Sequence, residues 1–380
     1  MTVEAWAFQR GALNTDFTSS VISFSGNAGR QNYLDNYSGG TFQITIKNQA
    51  NEAANFTRGL EVNIKFSTGN VFVYGTVIGV TFNDYPGNIG LSTATITCQD
   101  EITRAGTFNL QDFACYSTQG TTQQAERSNE AFTGLKTPEV LRVGNGSSTA
   151  EAVTLYNGTI LNRLNILNNT ERGALIAFDA GILFLARTSM VNYNSVTFHR
   201  STSSATSIAY TSLRRLLALD NFRNQITVNY TNAAGTALAP VFANNTTSQT
   251  ANGIAGFAFE SADNSSTQAT GLASWLSFTQ GEPTTLRFEI DFDDATANAT
   301  AIQSFLLDYR TSYEPATVIT WRVPGAGSDT TTNVVVEGYS FSGVPGKTSY
   351  TFYFSPAFFY DLFTLDSNTL GILDTNRLGW

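Results

Sequence analysis

A chain of 380 residues, 42% of them hydrophobic, is long enough for two or three domains with substantial cores. Charged residues make up only 13%, about half of the usual share of about 25%, which fits a subunit covered by neighbours better than a free monomer that relies on charge for solubility. The formal net charge of −9 excludes non-specific nucleic-acid binding by neutralisation of phosphates, and two cysteines without a CxxC pair, beside a single histidine, exclude a zinc site of ordinary spacing.

From the N-terminus, Met1 to Gln9 holds one acid and no base, and no apolar stretch follows, so no signal peptide is expected. No run approaches the length of a membrane span. Up to about residue 125 the chain reads as strands. Phe42–Lys47 and Leu60–Phe66 alternate apolar and polar, the period of a half-buried strand. Val71 to Phe82 is a longer strand interrupted by Gly75 and Gly79, where a bulge or sharp bend is expected. Ser92–Thr97 alternates again, and the turns between these runs predict a sandwich or barrel.

The pattern lapses over Thr118 to Ser148. Val153, Tyr156, Ile160, Leu161, Leu164 and Leu167 then recur at helical steps and predict a helix over 150–168. Gly173–Phe178 and Ile182–Leu185 flank a turn and predict a hairpin, making a small α+β unit. Leu213–Leu219 reads as a short helix or a strand pair. Strands return at Gln225–Tyr230; Leu272, Trp275 and Leu276 mark a helix; and Leu286–Phe292, Val318–Val323, Asn333–Glu337 and Thr348–Phe354 complete a second β region. The last sixteen residues repeat Leu-Asp-x-Asn-x-Leu-Gly at an offset of eight, with Leu365, Leu370, Leu373, Leu378 and the closing Trp380 as apolar anchors that cannot build a core alone. They are expected to drape over their own barrel or a neighbouring subunit. The run Phe352–Tyr360 is too apolar to stand exposed, and Phe358, Phe359 and Tyr360 are expected to form a docking patch.

Catalytic chemistry finds little footing. Any Ser-His-Asp arrangement must use His199, which lies in what reads as a strand edge, and no GxSxG elbow accompanies it. Cys98 and Cys115 read as small, buried and reduced. Glu289, Asp291 and Asp293 fall on one face of a strand and are the candidate metal ligands, but without an EF-hand loop they read rather as a solvated face. No phosphate loop occurs, and no cofactor is expected.

Four blocks carry a resemblance: Gly29-Arg30 with Leu34-Asp35, Gly39-Gly40 and Ile44–Asn48; Gly75–Gly79 with Ala94–Asp100; Asn165–Leu167, Thr170-Glu171, Gly173 and Ala180–Arg187; and Val334–Gly338 with Phe354–Ala357 and the C-terminal repeat. In this order, over most of the chain, they resemble the tail-tip or baseplate hub proteins, also called minor tail proteins, of long-tailed bacteriophages. The run from Ser201 to Asn252 matches only loosely. The resemblance implies a mainly β, α+β fold: a tube-like antiparallel β-barrel over 1–125, an α+β insertion over 126–200, a second barrel over 201–357, and an extended tail over 358–380. It further implies a non-enzymatic homotrimer, a six-fold-like ring that adapts the tail tube to a three-fold tip and gates the DNA channel. Its partners would be the distal-tail ring, the tape-measure protein and central fibre or spike proteins, without sequence-specific nucleic-acid binding or a membrane span. Such a subunit is assembled in the bacterial cytoplasm and resides at the distal end of the virion tail. The competing readings are a receptor- or carbohydrate-binding tail protein, with Glu289–Asp294 as the place for its cleft, and a peptidoglycan-degrading tail enzyme, for which no carboxylate pair or zinc cluster is visible.

Overall fold

The computed structural model describes residues 6–360 apart from 12, 67–68, 116–117, 120–138, 144–145, 147, 179–180, 218–221, 233, 282–284, 295–297, 324 and 345. The fold is mixed α+β and mostly strands, dominated by one 14-stranded sheet. Eight of those strands follow one another in an antiparallel path: Ser212–Leu217, Thr285–Asp293, Lys347–Pro356, Thr330–Val344, Val21–Gly29, Thr41–Lys47, Thr93–Gln99 and Val71–Asn83. Strict alternation in sequence is what builds it, because partners in register share a face. One such row runs Phe292, Tyr350, Phe341, Gly26, Phe42, Cys98 and Val77, and every side chain in it is buried.

That apolar face is covered separately in its two halves. In the N-terminal half, strands Trp6–Arg10 and Glu61–Phe66 continue the sheet and curl it over, so that Phe8 meets Phe24 at 5.2 Å between ring centroids and Phe72 meets Phe341 at 4.9 Å. In the C-terminal half Phe198 packs edge-on against Phe305 of helix Ala299–Leu307 at 5.1 Å and against Phe354 at 5.2 Å. Each buried Phe contributes about 1.5–3 kcal/mol by leaving water, with a further increment from edge-to-face geometry.

Thr330–Val344 joins the halves. Along one edge, residues 330–335 pair with Ala316–Trp321 and residues 338–343 pair with Val21–Gly29. The change of partner falls at Glu337, where the register on the other edge slips between Val336 and Gly338. The backbones approach so closely there that a Cβ on Gly338 would lie 2.6 Å from the Ala28 and Arg30 carbonyl oxygens, and one on Gly29, whose φ is +82°, would collide with the Glu337 carbonyl. Glycine at both positions is a steric requirement.

The insertion departs from expectation in one element. The helix predicted from residue 150 begins at Ile160 and runs to Glu171, while Val153–Thr159 is a strand paired with Asn109–Cys115. Gly158, at φ +153°, breaks helical continuation, and Thr159 accepts a hydrogen bond from Asn162 N as the N-cap. The 153–167 spacing therefore belongs to two elements, each burying part of it. The expected hairpin forms from Ala174–Phe178 and Gly181–Leu185, and Glu139–Val143 lies parallel to its second strand. Of the two readings left open at Leu213–Leu219, the strand Ser212–Leu217 is the one adopted. Val241–Asn244, Gln225–Asn229 and Gly256–Glu260 form a small sheet with helix Ser266–Thr279 beside it, and the first two of these strands lie within the loosely matching run. Among the described residues no helix is long and apolar enough to cross a membrane.

Candidate functional site

The chemistry of this molecule concentrates where its parts meet. Arg30 follows strand Val21–Gly29, Glu337 is the bulge residue, and Tyr360 follows the short 3-10 turn Ala357–Phe359. Arg30 Nε donates to Glu337 Oε2 at 2.7 Å, with both side chains at 0% exposure. Arg30 Nη2 donates to the Tyr360 hydroxyl at 2.9 Å, and that hydroxyl donates to Glu337 Oε1 at 2.6 Å, closing a three-membered network. The guanidinium also lies over the Tyr37 ring at 4.4 Å. Burial works against its charge, but the Glu337 carboxylate, with Tyr37 and Tyr360, outweighs burial and holds Arg30 ionised. Burial, and then the Glu337 charge, push the Tyr360 phenol well above its ordinary value, so it stays a donor. A pair so enclosed is poor at adding net stability but costly to break, about 3–5 kcal/mol when one partner is lost.

A second layer brings in the insertion. Arg172, at the C-terminal cap of helix Ile160–Glu171 with φ +56°, is fully buried over the Phe259 ring at 4.5 Å and the Tyr33 ring at 5.8 Å. Burial lowers its guanidinium to about 10, and its three nitrogens make no hydrogen bond among the described residues. Arg187 lies over Trp275 at 4.9 Å, and Glu171 Oε1 accepts from the Arg187 backbone N–H at 3.3 Å. Tyr33 meets Tyr360 edge-on at 5.0 Å. Asn165 of the same helix clamps Tyr37, accepting from its N–H and donating to its carbonyl, both at 3.0 Å. The arrangement holds no nucleophile beside a base; what it does chemically is lock the N-terminal half, the insertion and the C-terminal half in one orientation.

The sequence-predicted residues lie elsewhere. Glu289, Asp291 and Asp293 do share one face of Thr285–Asp293. Glu289 is engaged by Arg214 at 3.0 Å and Arg287 at 3.5 Å, and Asp291 accepts from Ser212 Oγ at 2.6 Å and Thr351 Oγ1 at 2.7 Å. No group of three or more metal-ligating side chains comes together among the described residues. Two of the three aromatics expected in a docking patch belong to this chain's own core: Phe359 packs 5.3 Å from Tyr33, and Tyr360 closes the Arg30–Glu337 network, whereas Phe358 is 42% exposed. Leu365, Leu370, Leu373, Leu378 and Trp380 lie outside the described residues. His199 is not on an edge strand, since Thr197–His199 runs between Ser207–Ala209 and Ala316–Trp321; its Nδ1 accepts from the Ser201 and Thr202 N–H groups. Cys98 is buried, and burial pushes its thiol up. The Arg30–Glu337 pair escaped sequence reasoning, its one trace being an acid placed directly after the apolar run Val334-Val-Val336.

No family model and no curated protein sequence matches this chain. Solved structures do. A tail protein from Neisseria meningitidis superposes with a TM-score of 0.61 at 9% identity, covering 92% of this chain and 96% of its own. The 43 kDa tail protein of prophage MuSo2 from Shewanella oneidensis gives 0.58 at 12% identity over 94% of this chain and 100% of its own. The E. coli c3393 protein, a type VI secretion system component with structural similarity to T4 bacteriophage tail proteins gp27 and gp5, gives 0.51 at 11% identity over 89% and 73%. Along most of its length this chain has the fold of phage and prophage tail proteins.

Proposed function

We propose that the chain is a structural, non-enzymatic subunit of a phage-type tail, placed at its distal end as a hub ring of three copies. On this reading 1–125 and 201–357 are two tube-like barrels flanking the 126–200 insertion, and three copies give six barrel units that match a six-fold tube above and a three-fold tip below. The distal-tail ring, the tape-measure protein and a central fibre or spike are its partners, and the ring gates the channel through which DNA leaves.

The observation that carries this proposal is the eight-stranded path and its two ends. At one end Ser212–Leu217 pairs only with Thr285–Asp293 among the described residues. At the other, Val71–Asn83 pairs with Glu61–Phe66 only up to Thr76, so among the described residues the outer edge of 78–83 carries no strand. Natural proteins guard such edges with Lys, Pro or inward charge; 78–83 reads Ile-Gly-Val-Thr-Phe-Asn and has none of these. Ile78 and Phe82 are exposed, as are Tyr85, Ile89 and Leu91 beyond them. Two unlike open edges on one subunit make a heterologous contact, and a heterologous contact that closes makes a ring. Three copies would place about 24 strands, spaced about 4.8 Å apart, around a circumference of about 115 Å, a backbone diameter of about 37 Å before strand tilt. That is wider than a DNA duplex.

A receptor- or carbohydrate-binding role would need a free acidic cleft at Glu289–Asp294, and two of its carboxylates are held by Arg214, Ser212 and Thr351. Antibody labelling of particles under negative-stain electron microscopy tests the placement: label at the distal end of the tail is expected, and label along the shaft or on the capsid overturns it. Light scattering tests the ring, with a mass of three chains of 41.1 kDa expected.

A further inference from the structure

Three buried guanidiniums surround Tyr33, and two of them have an acid beside them. Arg30 is paired with Glu337 at 2.7 Å, and Arg187 has the charge of Glu171 acting on it. Arg172 has no such partner. Its side chain is at 0% exposure, and Nε, Nη1 and Nη2 make no hydrogen bond among the described residues. Asp263 attracts it without an ion pair, its two oxygens accepting from Ser261 Oγ and Gln268 Nε2, both at 2.7 Å. The Phe259 and Tyr33 rings, at 4.5 and 5.8 Å, attract the cation through their faces. That attraction satisfies none of the N–H groups and is weaker than the hydration that burial removes.

The other orphaned groups beside Tyr33 are donors too. The Tyr33 hydroxyl and Gln280 Nε2 are buried without a partner among the described residues, and both residues line a recess of about 90 Å³ with Phe257, Phe359 and Arg223. The acid on this recess, Asp35, is exposed and accepts from Asn32. Burial pushes the Tyr33 phenol up, with Arg172, Arg187 and Arg30 pulling against it, so the hydroxyl keeps its proton and can donate. A guanidinium donates and never accepts. A water among such donors would have no acceptor for its own protons, whereas an anion accepts from all of them and cancels the charge. Complete burial keeps a carboxylate of another chain away from Arg172. A divalent oxyanion would turn one uncompensated positive charge into a negative one. We propose that Arg172 and the Tyr33 hydroxyl hold a monovalent inorganic anion of the halide class, chloride in the cell, inside the core. The ion joins the end of helix Ile160–Glu171 to the segment that follows strand Val21–Gly29, and so adds a dissociable member to the Arg30–Glu337 joint.

Bromide, which scatters anomalously, is the probe. In crystals of the full-length protein grown with sodium bromide, an anomalous peak is expected within hydrogen-bonding reach of the Arg172 guanidinium. Ordered waters there without an anomalous signal overturn the proposal. Thermal melts at constant ionic strength distinguish a built site from an adventitious ion only. Replacing gluconate by chloride over a hundredfold range of concentration is expected to raise the wild-type midpoint by about 2–4 °C. Arg172→Met, which needs no counterion, is expected not to respond. Tyr33→Phe, which loses one hydroxyl, is expected to need several-fold more chloride for the same rise, and it keeps the test open if Arg172→Met does not fold. A wild-type midpoint indifferent to chloride, or variants that respond as the wild type does, sinks the site even where bromide gives a peak.

Discussion

Glu337 and Arg30 show how a costly interaction is kept for geometry. Both are at 0% exposure, and neither has water to return to if the other is removed. Glu337→Ala leaves a buried guanidinium facing a void, and Arg30→Ala leaves a buried carboxylate; each is expected to lower stability by about 3–5 kcal/mol. The double variant Arg30→Leu/Glu337→Leu removes both charges and is expected to lose less than the sum of the single variants, and less than either alone if the leucines pack. Denaturant titration of the four proteins checks this; additive losses would mean that the pair is no coupled unit. Three other buried carboxylates act in the opposite sense. Burial raises Asp100 and Asp263 to about 6 and Glu101 to about 7, each against attractive partners that only partly compensate. Ordinary carboxylates titrate near about 4, so the folded protein binds these protons more tightly than the unfolded chain. Their contribution is fully present below about pH 4 and is lost as pH rises through 6 to 7. Thermal midpoints are therefore expected to fall between about pH 5 and pH 8, and Glu101→Gln is expected to flatten about half of that slope, the rest staying with Asp100 and Asp263; a midpoint that rises over this interval contradicts the assignment.

At the scale of the element, the two open edges make a separable prediction. Neighbouring residues of a strand point their N–H groups to opposite edges, so of Thr81→Pro and Phe82→Pro one removes an outward donor alone while the other breaks the pairing with Thr93–Gln99. The outward variant is expected to keep its circular dichroism and lose its trimer mass; a variant that folds and still forms the trimer would take this edge out of the seam. Which elements were legible in sequence follows from the same physics. Thr41–Lys47, Glu61–Phe66 and Thr93–Gln99 bury one face each, and alternation announces that. Val153–Thr159 was misread because Val153 and Tyr156 stand at a spacing that also continues into the helix after Thr159; only Gly158 signals the break. The joint at Glu337 was not legible, since it depends on contact with Arg30 across more than 300 positions of chain. Local periodicity carries no information about such a pair. The Gly29-Arg30 and Val334–Gly338 blocks of the resemblance turn out to be the two sides of that joint, so they record a tertiary constraint that no window of sequence displays.

For the whole molecule, the question is where folding ends and assembly begins along the chain. Residues Ala357–Phe359 make a buried turn, and Tyr360 is wired to both members of the ion pair. The folded core therefore reaches through Tyr360, three residues beyond the sequence-based boundary after residue 357. A chain ending at Pro356 loses the phenol that donates to Glu337 and accepts from Arg30, together with the Phe359 ring against Tyr33. Removing a buried hydrogen-bonded group and a buried aromatic costs several kcal/mol, of order about 4–6 together, enough to unfold a domain of ordinary marginal stability. A chain ending at Tyr360 keeps every one of those contacts. It is expected to melt within a degree or two of the full chain while losing incorporation into tails, because the Leu-Asp-x-Asn-x-Leu-Gly repeat offers apolar anchors without a core of its own. Thermal melts and complementation of a tail-defective phage separate the two outcomes. Equal, large losses of stability in both truncations would place the repeat inside the fold; wild-type infectivity from the chain ending at Tyr360 would deny it a part in assembly.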